Sequence, residues 1–180
     1  MALPATIQRF TIDLADVDRG VYEVIELRTA QHPSETDVYL VTRVLAYLLH
    51  HSDGATMSRA GLCDPDDPPV LARDLTGKIT HWIDLGLPAA TRLHKAAKAA
   101  EHVMVYCHKE PTVHLESLAR AQIHRAHEVA FYSLPPQMLE DIARHLTRNN
   151  SWSVVRTEGT IFVTIGAESI QGALTRHHLA

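Results

Sequence analysis

The residues best placed to do chemistry lie between positions 65 and 95. Two short strand candidates, residues 70–74 and 79–86, flank a turn that contains Gly77. Asp66 and Asp67 stand just before the first strand, and Asp84 stands near the end of the second. Arg92 and Lys95 follow on a helix-like segment. Metal-dependent phosphodiester cleavage needs carboxylates that converge on a hard cation such as Mg²⁺ or Mn²⁺. It also needs a cationic group near the attacking water or the scissile phosphate. This stretch supplies both kinds of group.

Register decides which carboxylates can meet. With the turn centred near Thr76 and Gly77, antiparallel partners have numbers that sum to about 153, so Asp84 falls opposite roughly position 68 or 69. Asp66 and Asp67 then lie one or two residues beyond the partner of Asp84, and the register does not choose between them. Asp74 would lie roughly 20 Å from the level of Asp84, at about 3.3 Å per residue, and is the poorer partner. Alternation puts Ile79, His81, Ile83 and Leu85 on one face of the second strand and Thr80, Trp82, Asp84 and Gly86 on the other. The plainer alternative makes Asp84 a strand-end residue that caps the next helix.

Composition frames these candidates. A chain of 180 residues with 46% hydrophobic and 21% charged residues reads as one globular domain, residues 1–180. No apolar run reaches membrane-spanning length, and residues 1–5 lack the basic and apolar regions of a signal peptide. Cys63 and Cys107 form no CxxC pair. The expectation is a reduced, cytoplasmic protein with no membrane partner. A net charge of −4 argues against bulk electrostatic binding to nucleic acid but leaves room for a local basic patch. Thirteen histidines are many, yet no HExxH or zinc-type spacing occurs. Glycine-rich phosphate loops and GxSxG elbows are absent from the sequence too.

The elements that must position the acids follow from periodicity. Residues 6–14 and 21–30 read as an opening hairpin across Asp16–Gly20. Ser34 with Asp37 three residues later resembles a capping box, starting an amphipathic helix that runs to about His50. A short strand is expected at residues 57–62. Helices are expected at 88–101, 112–125 and 136–146, and strands at 102–107 and 128–134. Asn149 and Asn150 read as a helix stop before a closing hairpin, residues 151–156 and 160–165. The tail after Glu168 shows little pattern. The fold class is therefore α/β (α+β), a mixed sheet flanked by helices with hairpins at both ends of the chain.

Four segments carry a family resemblance: Met1–Ile7, His32-Pro33-Ser34-Glu35-Thr36, Gly61-Leu62-Cys63, and Trp82-Ile83-Asp84-Leu85-Gly86-Leu87-Pro88. Together they are similar to the bacterial YaeQ family along nearly the whole chain. The resemblance implies a core related to the PD-(D/E)XK nucleases and no settled activity. Pro65-Asp66 resembles the leading PD element, with Asp67 as the adjacent option, and Asp84 resembles the second carboxylate. The motif's lysine is due two residues later, where Gly86 stands, so Lys95 is the candidate replacement. Glu35 resembles the extra acidic ligand that some members add. The implied nuclease would hold Mg²⁺ or Mn²⁺ on Asp66, Asp84 and Glu35, with Lys95 at the water and Arg43 and Arg92 on phosphates. The other reading is a non-catalytic nucleic-acid-binding or protein-interaction module. In it, Glu35 and Arg43 form a buried ion network and Lys95 is a solvated side chain.

Overall fold

The computed structural model describes residues 5–58 and 66–179. The opening hairpin forms as alternation requires: β1 (Thr6–Asp16) and β2 (Val21–Gln31) pair antiparallel over their whole length. Phe10, Ile12, Leu14, Ile25 and Leu27 all turn to one buried face. Helix α1 (Asp37–His50) follows. Its cap is Thr36, whose hydroxyl accepts the Tyr39 N–H at 3.2 Å. The expected cap, Ser34, instead meets the His32 ring at 2.7 Å. The helix therefore starts after Glu35 and not on it.

The rest of the chain is β3 (Thr56–Met57), β4 (Val70–Arg73), β5 (Ile79–Leu85), α2 (Ala90–Ala99), β6 (His102–Cys107), α3 (Thr112–Ala119), β7 (Ala130–Ser133), α4 (Pro136–Ala143), β8 (Asn149–Thr157), β9 (Thr160–Ile165), β10 (Glu168–Ala173) and β11 (Thr175–His177). Among the described residues the strands form two sheets, in the orders β10-β9-β8-β1-β2 and β11-β7-β6-β5-β4-β3. β5, β6 and β7 run parallel, joined through α2 and α3, while β4 and β11 pair antiparallel at their flanks. In the first sheet β1 pairs parallel with β8, from Arg9↔Asn149 to Asp16↔Arg156.

Two cores result. The inner faces of both sheets close on α1 and α4, with Phe10 and Trp152 edge-to-face at 5.0 Å between their centroids. The outer face of the second sheet, with Trp82, Val103, Val105 and Phe131, packs on α2 and α3. Every residue of α1 from Leu40 to Leu49 is buried. A helix covered on all sides belongs in a core, so the expected one-sided amphipathic helix is replaced by one sandwiched between two sheets.

Three further expectations are corrected. The tail after Glu168 supplies an edge strand to each sheet. Asn150 does not stop a helix in open loop. It lies in β8, and its buried amide bonds Thr147 and the Arg9 carbonyl. Helix α3 ends at Ala119, not near 125, because its apolar residues make no continuous stripe: Val113 is exposed and Leu118 is its one buried residue. Of the strand expected at 57–62, residues 59–62 lie outside the described residues, as do Pro65 and the Gly61-Leu62-Cys63 segment.

Candidate functional site

The hairpin register is the one that the turn required. Val70↔Ile83, Leu71↔Trp82 and Ala72↔His81 are Cα partners, with a bulge only at Arg73. The two faces of β5 separate as alternation demands: Ile83 and Leu85 join the core around α1, and Trp82 joins the core around α2. Asp84 shares the α2 side with Trp82. It is 3% exposed.

Asp84 is held from two directions. The Trp82 indole N–H donates to Oδ2 at 3.0 Å. Arg92, in the first turn of α2, donates its Nε–H to both oxygens at 3.0 and 2.8 Å. The guanidinium also lies over the Trp82 ring, 5.4 Å from its centroid, close enough for a cation–π contact. Its Nη2 reaches the Asp67 carbonyl at 3.4 Å. Arg92 thus ties the Asp84 side chain to the backbone of the 66–67 segment, joining two ends of the candidate carboxylate set.

The other acids have partners of their own. Lys95 forms an ion pair with Asp66, with both side chains at least half exposed. Its ammonium holds the Asp66 carboxyl below its usual range. Asp67 pairs with Arg73 at 3.0 Å. Lys95 therefore stands on one candidate carboxylate, while Arg92 occupies the other. The sequence offered both cations on the segment after β5, but nothing in it said which would meet which acid.

Glu35 and Arg43 form a separate pair. Glu35 Oε2 accepts a hydrogen bond from Arg43 Nη2 at 3.0 Å and one from the His32 N–H, Oε1 lies 2.9 Å from Arg43 Nε as an ion pair, and Arg43 also donates to the Ala30 carbonyl. Arg43 is 2% exposed. It is committed to neutralising Glu35 inside the sandwich, not turned out toward a phosphate. Burial pushes the Glu35 carboxyl up, against the pull of Arg43. Among the described residues no three His, Cys, Asp or Glu side chains gather as a metal cluster.

The position two residues after Asp84 explains itself structurally. Gly86 has φ +77°, and a Cβ there would stand 3.2 Å from His108 Cε1. A lysine at this point would meet both a backbone penalty and the imidazole. His108, just beyond β6, was not singled out by any motif. Burial, with Lys109 beside it, pushes its pKa down, and its buried Nδ1 has no hydrogen-bond partner among the described residues.

Gly86 and His108 line a cleft of about 800 Å³ with Glu35, Tyr39 and Glu140. It opens where the parallel strands β5 and β6 end, a common place for ligands in such sheets. Tyr39 borders it edge-to-face with His108, 5.8 Å between centroids. Burial pushes the Tyr39 phenol up to about 12, and it feels the charges of both the Glu35–Arg43 and Asp84–Arg92 pairs. The cleft therefore lies within electrostatic reach of both pairs.

Comparison with known proteins agrees with this layout. The crystal structure of a YaeQ protein from Xanthomonas axonopodis pv. citri superposes with a TM-score of 0.87 at 28% identity, over 97% of this chain and 98% of that one. The YaeQ crystal structure from Pseudomonas syringae also gives 0.87, at 29% identity, over 99% and 100%. In sequence, the chain is 39% identical to Escherichia coli K12 YaeQ over 106 residues, 59% of this chain and 58% of that protein. It is 35% identical to the Salmonella typhi YaeQ protein over 108 residues, 60% and 59%. These sequence matches thus span under two thirds of either relative's length. The family model described as "YaeQ protein" matches residues 1–174, a span that holds every strand described above except β11 and includes the Trp82–Pro88 segment, so the chain belongs to the YaeQ family.

Proposed function

We propose that this chain is a nuclease-like protein that binds and hydrolyses phosphodiester bonds with the help of Mg²⁺ or Mn²⁺. The observation that carries the reading is the alternation of Asp66, Asp67 and Asp84 with Lys95, Arg73 and Arg92. Three acids and three bases in mutual contact cancel, so the cluster offers a polyanion little net attraction. Once the carboxylates have another cation, the three basic side chains become available to phosphate oxygens, where Arg is a strong bidentate donor. The donor set suits such an ion in kind: Mg²⁺ takes carboxylate oxygens and needs only one or two from the protein. Asp84 and either Asp66 or Asp67 would hold it, and its chemistry is to acidify a bound water and offset charge on the phosphate. Trp82 fixes the Asp84 carboxylate, and the neighbouring cleft gives room for substrate. Glu35 and Arg43 stay outside the ion-binding set in this reading. The work is placed in the cytoplasm, where the buried free thiol of Cys107 stays reduced.

A second reading is a non-catalytic module that binds nucleic acid or a protein partner. It is favoured by the engagement of both Asp84 oxygens by Arg92 and by the His108 ring that blocks a side chain at position 86. One experiment separates the two. Labelled single- and double-stranded DNA and RNA are incubated with wild type and Asp84→Asn in Mg²⁺, Mn²⁺, Ca²⁺ or chelator. The nuclease reading expects cleavage in Mg²⁺ and Mn²⁺, binding without cleavage in Ca²⁺, and none in Asp84→Asn. Because the amide frees Arg92 and removes a repelling charge, that variant should also bind oligonucleotides without a metal. Binding that ignores the metal, with no cleavage of any substrate, selects the second reading.

A further inference from the structure

We infer that the opposite end of β5 carries a second site, a pocket for a small organic anion with a carboxylate or phosphate headgroup on a flat body. It uses none of the residues of the Asp84 cluster and stands whether or not that cluster is catalytic.

The parallel register sets His81 of β5 beside His102 of β6, with ring centroids 4.7 Å apart. Farther along, the same face of β5 carries Ile83 and Leu85 into the core, so two adjacent imidazoles here interrupt an apolar surface. His50, at the end of α1, comes within 6.4 Å of His81 between centroids. It serves as a wall, because both its nitrogens are engaged: Nδ1 with Asp53 at 2.9 Å and Nε2 with the Tyr106 hydroxyl at 2.7 Å. His81 uses Nδ1 with the Thr80 hydroxyl at 3.1 Å, which leaves its Nε2 for a ligand.

The first sheet closes the space. Arg19, from the β1–β2 turn, and Arg156, from β8, line the same pocket of about 290 Å³. Among the lining residues two guanidiniums and three imidazoles stand against one acid, Asp53, while Asp16 and Asp18 offset Arg156 from outside the lining. Arg19 is braced by Asp53 at 2.7 Å and by the Leu49 carbonyl, and Arg156 by Asp16 and Asp18 at 3.4 and 3.3 Å. Tyr106 and Tyr132, stacked 16° from parallel with centroids 5.2 Å apart, both line the pocket with aromatic rings. Cationic walls beside a tyrosine pair suit a planar body with an oxyanion attached. The volume exceeds that of an inorganic ion alone.

The test uses the full chain. Benzoate and phenyl phosphate are titrated calorimetrically, and histidine side-chain ¹H–¹⁵N spectra are followed in parallel, with phenol and inorganic phosphate as controls. At least one aromatic anion should bind and shift the His81 and His102 signals, and whichever binds more tightly identifies the headgroup. Phenol and phosphate should bind about tenfold more weakly, each lacking one half of the recognition. His102 is more than half exposed, so His102→Ala should weaken binding about tenfold without moving the melting curve. Asp84→Asn should leave binding unchanged. The inference fails if neither aromatic anion moves the His81 and His102 signals in the unmutated protein. It fails equally if phenol binds as well as benzoate, or if both His102→Ala and His81→Gln bind like wild type.

Discussion

At the scale of single residues, the acids are ordered by the bases they meet. Asp84 is buried and its charge is balanced by Arg92, with the Trp82 indole as a second donor. Removing the guanidinium strands a carboxylate in a place that water reaches poorly. Arg92→Ala should therefore destabilise the protein by about 2 kcal/mol, within the usual range for an orphaned buried polar group. Asp84→Asn should cost less, since Arg92 is partly exposed and can turn to solvent. Urea denaturation of both variants checks the order, and a harmless Arg92→Ala would show that solvent already screens the pair. Gly86 makes a second prediction. Its φ of +77° and the His108 contact at 3.2 Å both oppose a side chain. Gly86→Ala should cost about 1–2 kcal/mol from the left-handed backbone alone, and Gly86→Lys should not raise nuclease activity above that of the unmutated chain. The carboxylates and the missing lysine were legible in the sequence. The pairing of Arg92 with Asp84 and the place of His108 were not, because both depend on where α2 and the end of β6 settle.

At the scale of elements, α1 shows how burial converts charge into constraint. Its residues from Leu40 to Leu49 are covered by both sheets, so Arg43 must be neutralised inside, and Glu35 does this from just before the helix. At the other end, His50 joins Asp53 and Tyr106 and docks the helix onto β6. Burial, only partly offset by Asp53, lowers the His50 pKa below its ordinary value. The unfolded chain then binds the proton more readily than the folded one, and stability must rise with pH. His50 contributes fully above its unfolded pKa of about 6.5, and its contribution falls as pH drops below that value toward the depressed folded pKa. Chemical denaturation between pH 5 and 8 should show a slope of this sign that is reduced in His50→Gln, about those pH values at which histidine titrates. An unchanged slope in the variant would assign the effect to other histidines.

At the scale of the whole molecule, the two ends of the chain make one sheet. β1 pairs with β8 across about 140 residues, and the Asp18 carboxylate accepts the N–H groups of Glu158 and Gly159 at 2.6 and 2.9 Å, joining the tips of the two hairpins. A chain ending after Arg148 would lose β8 to β11 and open the core around α1. Such a truncation should show no cooperative unfolding transition and should bind hydrophobic dye, as expected for a stripped core. A cooperative melt in it would mean that the second sheet and its helices are sufficient for a stable fold. Pairings this distant also favour slow folding, because loop closure precedes any gain from contact.

Local physics explains what could be read in advance. The period-2 runs of β1, β2 and β5, the continuous apolar run of β6 and the turn at Thr76–Gly77 are properties of consecutive residues, and the turn with the alternation of β5 gave the hairpin register that sets Asp84 opposite roughly position 68 or 69. The same alternation placed Trp82 and Asp84 together, away from Ile83. Tertiary structure decided the rest. Whether one sheet or two covers α1, which edges the residues after Glu168 complete, which base meets which acid, and how His81, His102, Arg19 and Arg156 come to share one pocket all depend on contacts between segments far apart in the chain. Hydrophobic pattern reports that a face is buried, but it does not name what buries it. A charged side chain reports its need for a partner, while the partner is chosen only when the surrounding layers close and water is displaced.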